Sequence, residues 1–421
     1  MHSVEPVHRD GLLGLPGPAG GLTERGVLRL GLGLSAAFVA AAVLAFALPA
    51  TRIGHWAGTH LALVGAALVA IGTVMPHFGA TLAGAPSEPP ALRLGGIGAL
   101  ASGAVLAVWG TSLAVPSATV LGAVLVWIGL LITAWTTLRP ARRPLARRHP
   151  IVHVAYAVAL SEVAIGIALP VLLVIGWEPV VAQWARLKPA HVWLNLFGFV
   201  SLTISATLVY LYPTVLGARI LAVPSLAPML AGALAGPPLV AVGAALGNQA
   251  LATAGAVLAL IGAAGQLAYA IGLWRRRGRW TTDQAWHRLS SGHLSAAMAW
   301  YLLAVAVAAL GVVRDGPAPA GWGLGALAVP LLAGWTLQAL VGSWSHLAPA
   351  VAVAAPERRA AMRAILGRVV TFRLLAWNGG VLGAWIGLGL GWLPLAVAGI
   401  AAFTLATLLS VALLALGLRR G

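Results

Sequence analysis

Cysteine is absent from this chain. That excludes disulfides, cysteine-ligated zinc, iron–sulfur clusters and covalently attached c-type haem. A metal or haem here would need histidine, methionine, carboxylate or backbone ligands. Charge is scarce as well. Of the 421 residues, 8% are charged, against about 25% in a soluble domain. Acidic residues are scarcest, nine in all, and one of them, Glu162, falls deep inside an apolar run. No phosphate-binding glycine-rich loop, H-E-x-x-H helix or nucleophile elbow occurs. The 52 glycines are spread along the apolar runs, where they serve helix packing.

What is present is hydrophobic: 60% of the residues, in runs of about 20, the length that spans a bilayer core as helix. The chain is therefore expected to be all-α, a polytopic transmembrane bundle forming a single domain. Twelve spans are expected, at 27–49, 60–83, 94–115, 118–138, 151–176, 190–213, 224–245, 250–273, 291–313, 322–347, 370–391 and 394–417. The first follows a stretch containing Glu5, Asp10 and Glu24 and exceeds a signal-peptide core, so it is expected to be retained.

The formal net charge of +17 is read loop by loop and not as a nucleic-acid signal. With the N-terminus placed in the cytoplasm, 22 arginines fall inside or at the inner interface. Arg52, Arg186, Lys188 and Arg314 fall outside. That asymmetry predicts a multi-pass plasma-membrane protein with both ends cytoplasmic.

Three spans end alike on the inner side: "GTVMPHFGA" in span 2, "LVYLYPTV" in span 6 and "GSWSHLAPA" in span 10. Aligning His77, Tyr210 and His346 gives steps of 133 and 136 residues. The expectation is three four-helix repeats, 27–138, 151–273 and 291–417.

The stretch "RLKPAHVWLNLFGF", residues 186–199, places His191 and Asn195 at the outer mouth of span 6. It resembles the start of the second helix in the cbb-type branch of heme-copper oxidase catalytic subunits. Twelve helices in three blocks of four are similar to that family as a whole. Similar helices occur in the NnrS group of haem–copper membrane proteins and in membrane modules associated with copper nitrite reductases or multicopper oxidases. The resemblance implies that His191 is an axial ligand of a b haem, or a copper ligand. It also implies electron transfer or metal handling for an outward-facing copper or haem redox partner. The departures are as informative. The oxidases draw histidines for both haems from the tenth helix, and for copper from the sixth and seventh. Here span 10 has one histidine, His346, at its inner end, and span 7 has none. An oxidase-type binuclear centre is therefore not expected.

The candidate site residues follow. His60 and His191 start spans that run in the same direction, so they lie at the same depth. They are the expected pair of ligands for haem b or copper, with His55 in reserve. On span 6, Asn195, Gly198 and Ser205 share the His191 face. Gly198 would leave space for a flat macrocycle, and Arg186 and Lys188, just outside, would pair with propionates or acidic lipid. Pro189 is expected to start the helix. The plainer alternative is a pair of interfacial histidines, with Gly198 serving close packing. An inner set of His77, His153, His293 and His346, with Tyr210, reads as interfacial hydrogen bonding. Glu162 is either a proton or cation relay or a neutral structural acid. A proton-coupled secondary transporter built around Glu162 is the second functional reading, although transporters usually show two six-helix halves. A cofactor-free scaffold is the third.

Overall fold

The computed structural model describes residues 23–47, 54–143, 150–220, 226–278, 285–316 and 327–420. About 90% of it is helical, and no strand occurs among the described residues. The helices are α1 (Glu24–Ala47), α2 (54–82), α3 (Pro90–Ser112), α4 (Pro116–Leu138), α5 (Pro150–Val174), α6 (Glu178–Leu216), α7 (Leu226–Leu246), α8 (Gln249–Trp274), α9 (Ala285–Asp315), α10 (329–352), α11 (Pro356–Leu366), α12 (Val370–Gly389) and α13 (Leu393–Arg420). Large apolar side chains such as Leu131 and Leu375 are 71% and 69% exposed, the reverse of a water-soluble surface. The protein is an all-α, multi-pass membrane bundle.

Ten of these helices are long and apolar enough to cross a bilayer. Helices α11 and α12, bent by 48° at a short break, pass the same test as a pair. The sequence reading counted twelve spans. The difference lies at 322–347, where residues 322–326 are outside the described set and the rest belongs to α10. That helix is broken into Val329–Leu337, Gln338–Leu347 and Ala348–Ala352, the first and last of them π-helical.

Three of the four π segments among the described residues have a pattern. They interrupt α2 at Leu61–Ala67, α6 at Trp193–Ser201 and α10 at Val329–Leu337. Their first residues are 132 and 136 apart. The three segments meet: that of α2 packs on those of α6 and α10, and Trp335 Nε1 donates to Ser201 Oγ at 2.9 Å. A π turn leaves carbonyls out of register, and hydroxyls answer it here. Ser201 donates to Leu196 O (2.8 Å) and Thr336 to Leu331 O (3.0 Å), each five residues back.

Around this centre stand three hairpins, α3–α4, α7–α8 and α12–α13, the most extensively packed helix pairs of the bundle. Each closes on a pair of glycines: Gly103 with Gly122, Gly236 with Gly255, Gly380 with Gly399. A Cβ at Gly103 would stand 2.7 Å from Gly122 O, at Gly255 2.8 Å from Gly236 O, and at Gly380 2.7 Å from Gly399 O. Each pair is 19 residues apart in sequence. Backbones approach this closely because small residues line the contact.

The start of α6 differs from expectation. Pro189 lies inside the helix, eleven residues after Glu178, and Pro179 takes the first turn instead. The amphipathic stretch Glu178–Lys188 had the composition of a loop, but it continues the helix. At 39 residues α6 is about 58 Å long, against about 30 Å of bilayer core. Its first turns therefore stand clear of the apolar layer.

Candidate functional site

His60 ends the first segment of α2, one residue before its π segment. Its ring stacks on Trp56, one turn back, with centroids 4.0 Å apart. Its Nδ1 lies 2.8 Å from Trp56 O. His191 sits two residues before the π segment of α6, and its Nδ1 lies 2.8 Å from Gly166 O on α5. A carbonyl only accepts, so in both rings Nδ1 carries the proton. Each imidazole is thereby set in the tautomer whose Nε2 presents a lone pair, which is how metal-ligating histidines are oriented by their surroundings. The two rings are within electrostatic range of each other, and both are half-buried. The two imidazoles thus share a tautomer and stand at corresponding positions, just before the π segments of α2 and α6.

Asn195 holds the backbone beneath the second ring. Its Nδ2 donates to His191 O at 2.7 Å and lies 3.1 Å from His191 Nδ1. The side chain packs over Gly166, where a Cβ would collide with the amide. Lys188 and Arg186 are both exposed. The Lys188 charge reaches His191. The Arg186 guanidinium instead lies over Gly247, in the turn between α7 and α8, with Cζ 3.4 Å from where a Cβ would stand. His55 belongs to the helical segment Gly54–His60, but its side chain lies outside the described residues.

Gly198 corrects the expectation placed on it. The space beside it is filled: a Cβ there would overlap the Glu162 carboxylate of α5. On α2, Gly65 is likewise covered by the Phe38 ring of α1. The small residues below the histidines receive side chains of neighbouring helices and offer no flat slot. Among the described residues, no group of three or more His, Asp or Glu side chains converges on one point.

The inner histidines disperse. His77 faces Glu24 at 3.3 Å, and Glu24 also pairs with Arg93. His153 Nε2 lies 3.4 Å from Gly79 O. His293 is fully buried and meets the Trp377 ring edge-on at 5.0 Å. His346 stacks on Trp286 at 5.6 Å, with His287 6.0 Å away and Arg363 over Trp286 at 4.8 Å. His287 escaped the sequence reading because that reading began span 9 at 291, whereas α9 begins at Ala285.

Other polar side chains within the spans tie helices together. Arg373 donates through Nη1 to Leu366 O, the last residue of α11, at 2.8 Å, and through Nε to Ser410 of α13 at 3.0 Å. It thus caps a helix C-terminus and bridges the break at Val369, whose φ of +45° is rare for a β-branched residue. Asn378 accepts from Trp300 at 2.9 Å and from Gln338 at 3.1 Å. Trp377 donates to Ala333 O at 2.9 Å.

Glu162 is the middle residue of the 25-residue α5. It is 4% exposed, and neither carboxylate oxygen has a hydrogen-bond partner among the described residues. Tyr301, near the middle of α9, stacks on Trp335, whose Nε1 donates to Ser201. Tyr301 and Ser201 were not singled out in the sequence, where a tyrosine and a serine inside apolar runs carry little signal.

Compared with known proteins, the chain matches no family model and no curated protein sequence.

Proposed function

We propose that this chain is a membrane metalloprotein that holds one copper ion between His60 and His191, where the π segments of α2 and α6 begin, on the side opposite the arginine-rich loops. One observation carries the reading: both imidazoles have Nδ1 fixed on a backbone carbonyl, which directs the lone pair of each ring to Nε2. Imidazole suits copper, zinc, iron and nickel, and copper(II) heads the affinity order among first-row divalent ions. Bound there, copper would supply one-electron redox chemistry or a transfer point for the ion itself. The protein's part is orientation. Trp56 and Gly166 fix the tautomers, Asn195 holds the backbone of His191, and Lys188 sets a positive charge at the mouth.

The surrounding architecture fits a degenerate heme-copper-oxidase-like scaffold of three four-helix repeats. Three π segments spaced 132 and 136 residues apart, and three glycine pairs with a common spacing of 19, support it. The exposed first turns of α6, Glu178–Lys188, offer an outward partner a mixed-charge ledge beside His191. The filled positions at Gly65 and Gly198 favour copper over haem b.

The test is copper content and visible absorption of the purified full-length protein. One copper per chain is expected, lost in His60→Ala and in His191→Ala and kept in His346→Ala. A b-type Soret band that depends on the same two residues would move the assignment to haem. Copper content unchanged in His191→Ala would end the reading.

A further inference from the structure

The arginine-rich side of the bundle carries a cavity of about 290 Å3, at the opposite end of α2 from His60. One wall is the loop from α2 to α3, through Ala85, Pro86, Ser87 and Glu88. The other is the end of α4, through Arg139, Pro140 and Arg143. Past Leu138 the chain tightens into a 3-10 turn, Pro140–Arg142, and this turn delivers Arg143 to the cavity.

One charge pair in the wall is already closed. Arg139 Nη1 donates to Glu88 Oε1 at 3.2 Å and to Glu88 Oε2 at 3.0 Å. Arg143 is exposed and pairs with no carboxylate among the described residues. Two guanidiniums line the cavity against one carboxylate, so one positive charge is left over. The Ser87 hydroxyl and the backbone N–H groups of Ser87 and Glu88 also have no acceptor among the described residues. Successive free N–H groups beside a cation favour an anion.

The depth of the cavity says which anion. Trp135, one turn before Arg139 on α4, is 52% exposed, and Arg139 Cζ lies 5.5 Å from its ring centroid. An exposed tryptophan beside arginine, at the end of an apolar span, marks the boundary between acyl chains and headgroups. The cavity opens one turn farther on, about 6 Å along the helix, among the lipid phosphates. An arginine fork matches two phosphate oxygens, and Ser87 can donate to a third. Glu88 does not repel the group, because Arg139 holds and neutralises it. The leftover positive charge favours a headgroup of net negative charge over a zwitterionic one. The volume is at the small end of ligand sites, as a headgroup requires, and the acyl chains would run along the exposed face of α4 past Trp135 and Leu131.

We propose that this cavity binds the phosphate group of an anionic phospholipid, with Arg143 and Ser87 as its contacts and the Arg139–Glu88 pair as the wall that shapes it. A lipid held there ties the α2–α3 loop to the end of α4.

Native mass spectrometry of the full-length protein in detergent tests this, by titration with phosphatidylglycerol or with phosphatidylcholine of the same chains, each with and without inorganic phosphate. One phosphatidylglycerol per chain is expected to be retained in preference to phosphatidylcholine, and inorganic phosphate should not displace it. Arg143→Gln weakens retention about tenfold, the lower end of what a lost hydrogen bond to a charged group is worth. Ser87→Ala weakens it less. Arg420→Gln, which removes an exposed arginine at the end of α13 and outside the cavity, leaves it unchanged. Arg143 makes no contact that folding needs, so thermal unfolding of Arg143→Gln without added lipid should match wild type. Four results would overturn the proposal. They are wild-type retention in Arg143→Gln, an equal loss in Arg420→Gln, which marks general surface charge, equal retention of phosphatidylcholine, and displacement by inorganic phosphate, which marks a site for the free ion.

Discussion

Gly198→Ala isolates the contact between α5 and α6 that links the histidine end to the bundle centre. The added Cβ would stand 2.6 Å from Glu162 Cδ and 3.3 Å from its Oε1, and would overlap Oε2. Inserting a methyl into a closed contact destabilises by about 1–3 kcal/mol. Replacing glycine by alanine inside a helix returns about 0.5–1 kcal/mol. The net expectation is a loss of up to about 2.5 kcal/mol. Gly98→Ala is the control. Nothing stands within 4 Å of its Cβ position, so the propensity gain survives and stability rises by up to about 1 kcal/mol. The assay is thermal unfolding in detergent followed by tryptophan fluorescence, on the single variants, on Glu162→Ala, and on the double variant. Removing the carboxyl relieves the clash, so the two changes should couple by about 1–2 kcal/mol, well beyond the ~0.5 kcal/mol scatter of independent sites. If Gly198→Ala is no less stable than wild type, or if coupling stays within that scatter, the carboxyl does not occupy the space beside Gly198.

Arg373→Met leaves Leu366 O without its donor, a loss of about 1–3 kcal/mol in unfolding stability, and exposes α11 to faster proteolysis. Arg373→Lys should recover part of this, because an ammonium can reach one of the two acceptors but lacks the planar fork that reaches both. A single cysteine at Gly278 should be protected from impermeant thiol reagents in whole cells, while one at Pro179 is labelled; labelling of the first would invert the orientation.

The membrane bundle could be read from composition because runs of about 20 apolar residues have few other uses. Glu162 stood out for the same reason, as a lone acid within such a run. The proposal that His60 pairs with His191 starts from helix direction and depth. What the sequence hid was backbone geometry. The π segments consist of the same leucine, alanine and glycine as their neighbours, so periodicity does not reveal them. The glycine pairs 19 residues apart were present but lost among 52 glycines. Gly198 was read as a slot because a missing side chain looks the same in sequence whether a cofactor or a neighbour's carboxyl fills the space. Pro189 was read as a helix start, yet the π segment just beyond it shows a helix that tolerates irregular hydrogen bonding there. Tyr301 and Ser201 carried no spacing signal, because their link through Trp335 runs across three helices.

The most direct test of the central claim is X-ray absorption at the copper edge on the purified wild-type protein, beside His60→Ala and His191→Ala. Two imidazole nitrogens at about 2 Å, as in other metal–imidazole bonds, are predicted in the wild type. Each alanine variant should lose copper or one of those two ligands. A copper shell with no imidazole scattering, or one that neither substitution alters, would contradict the account.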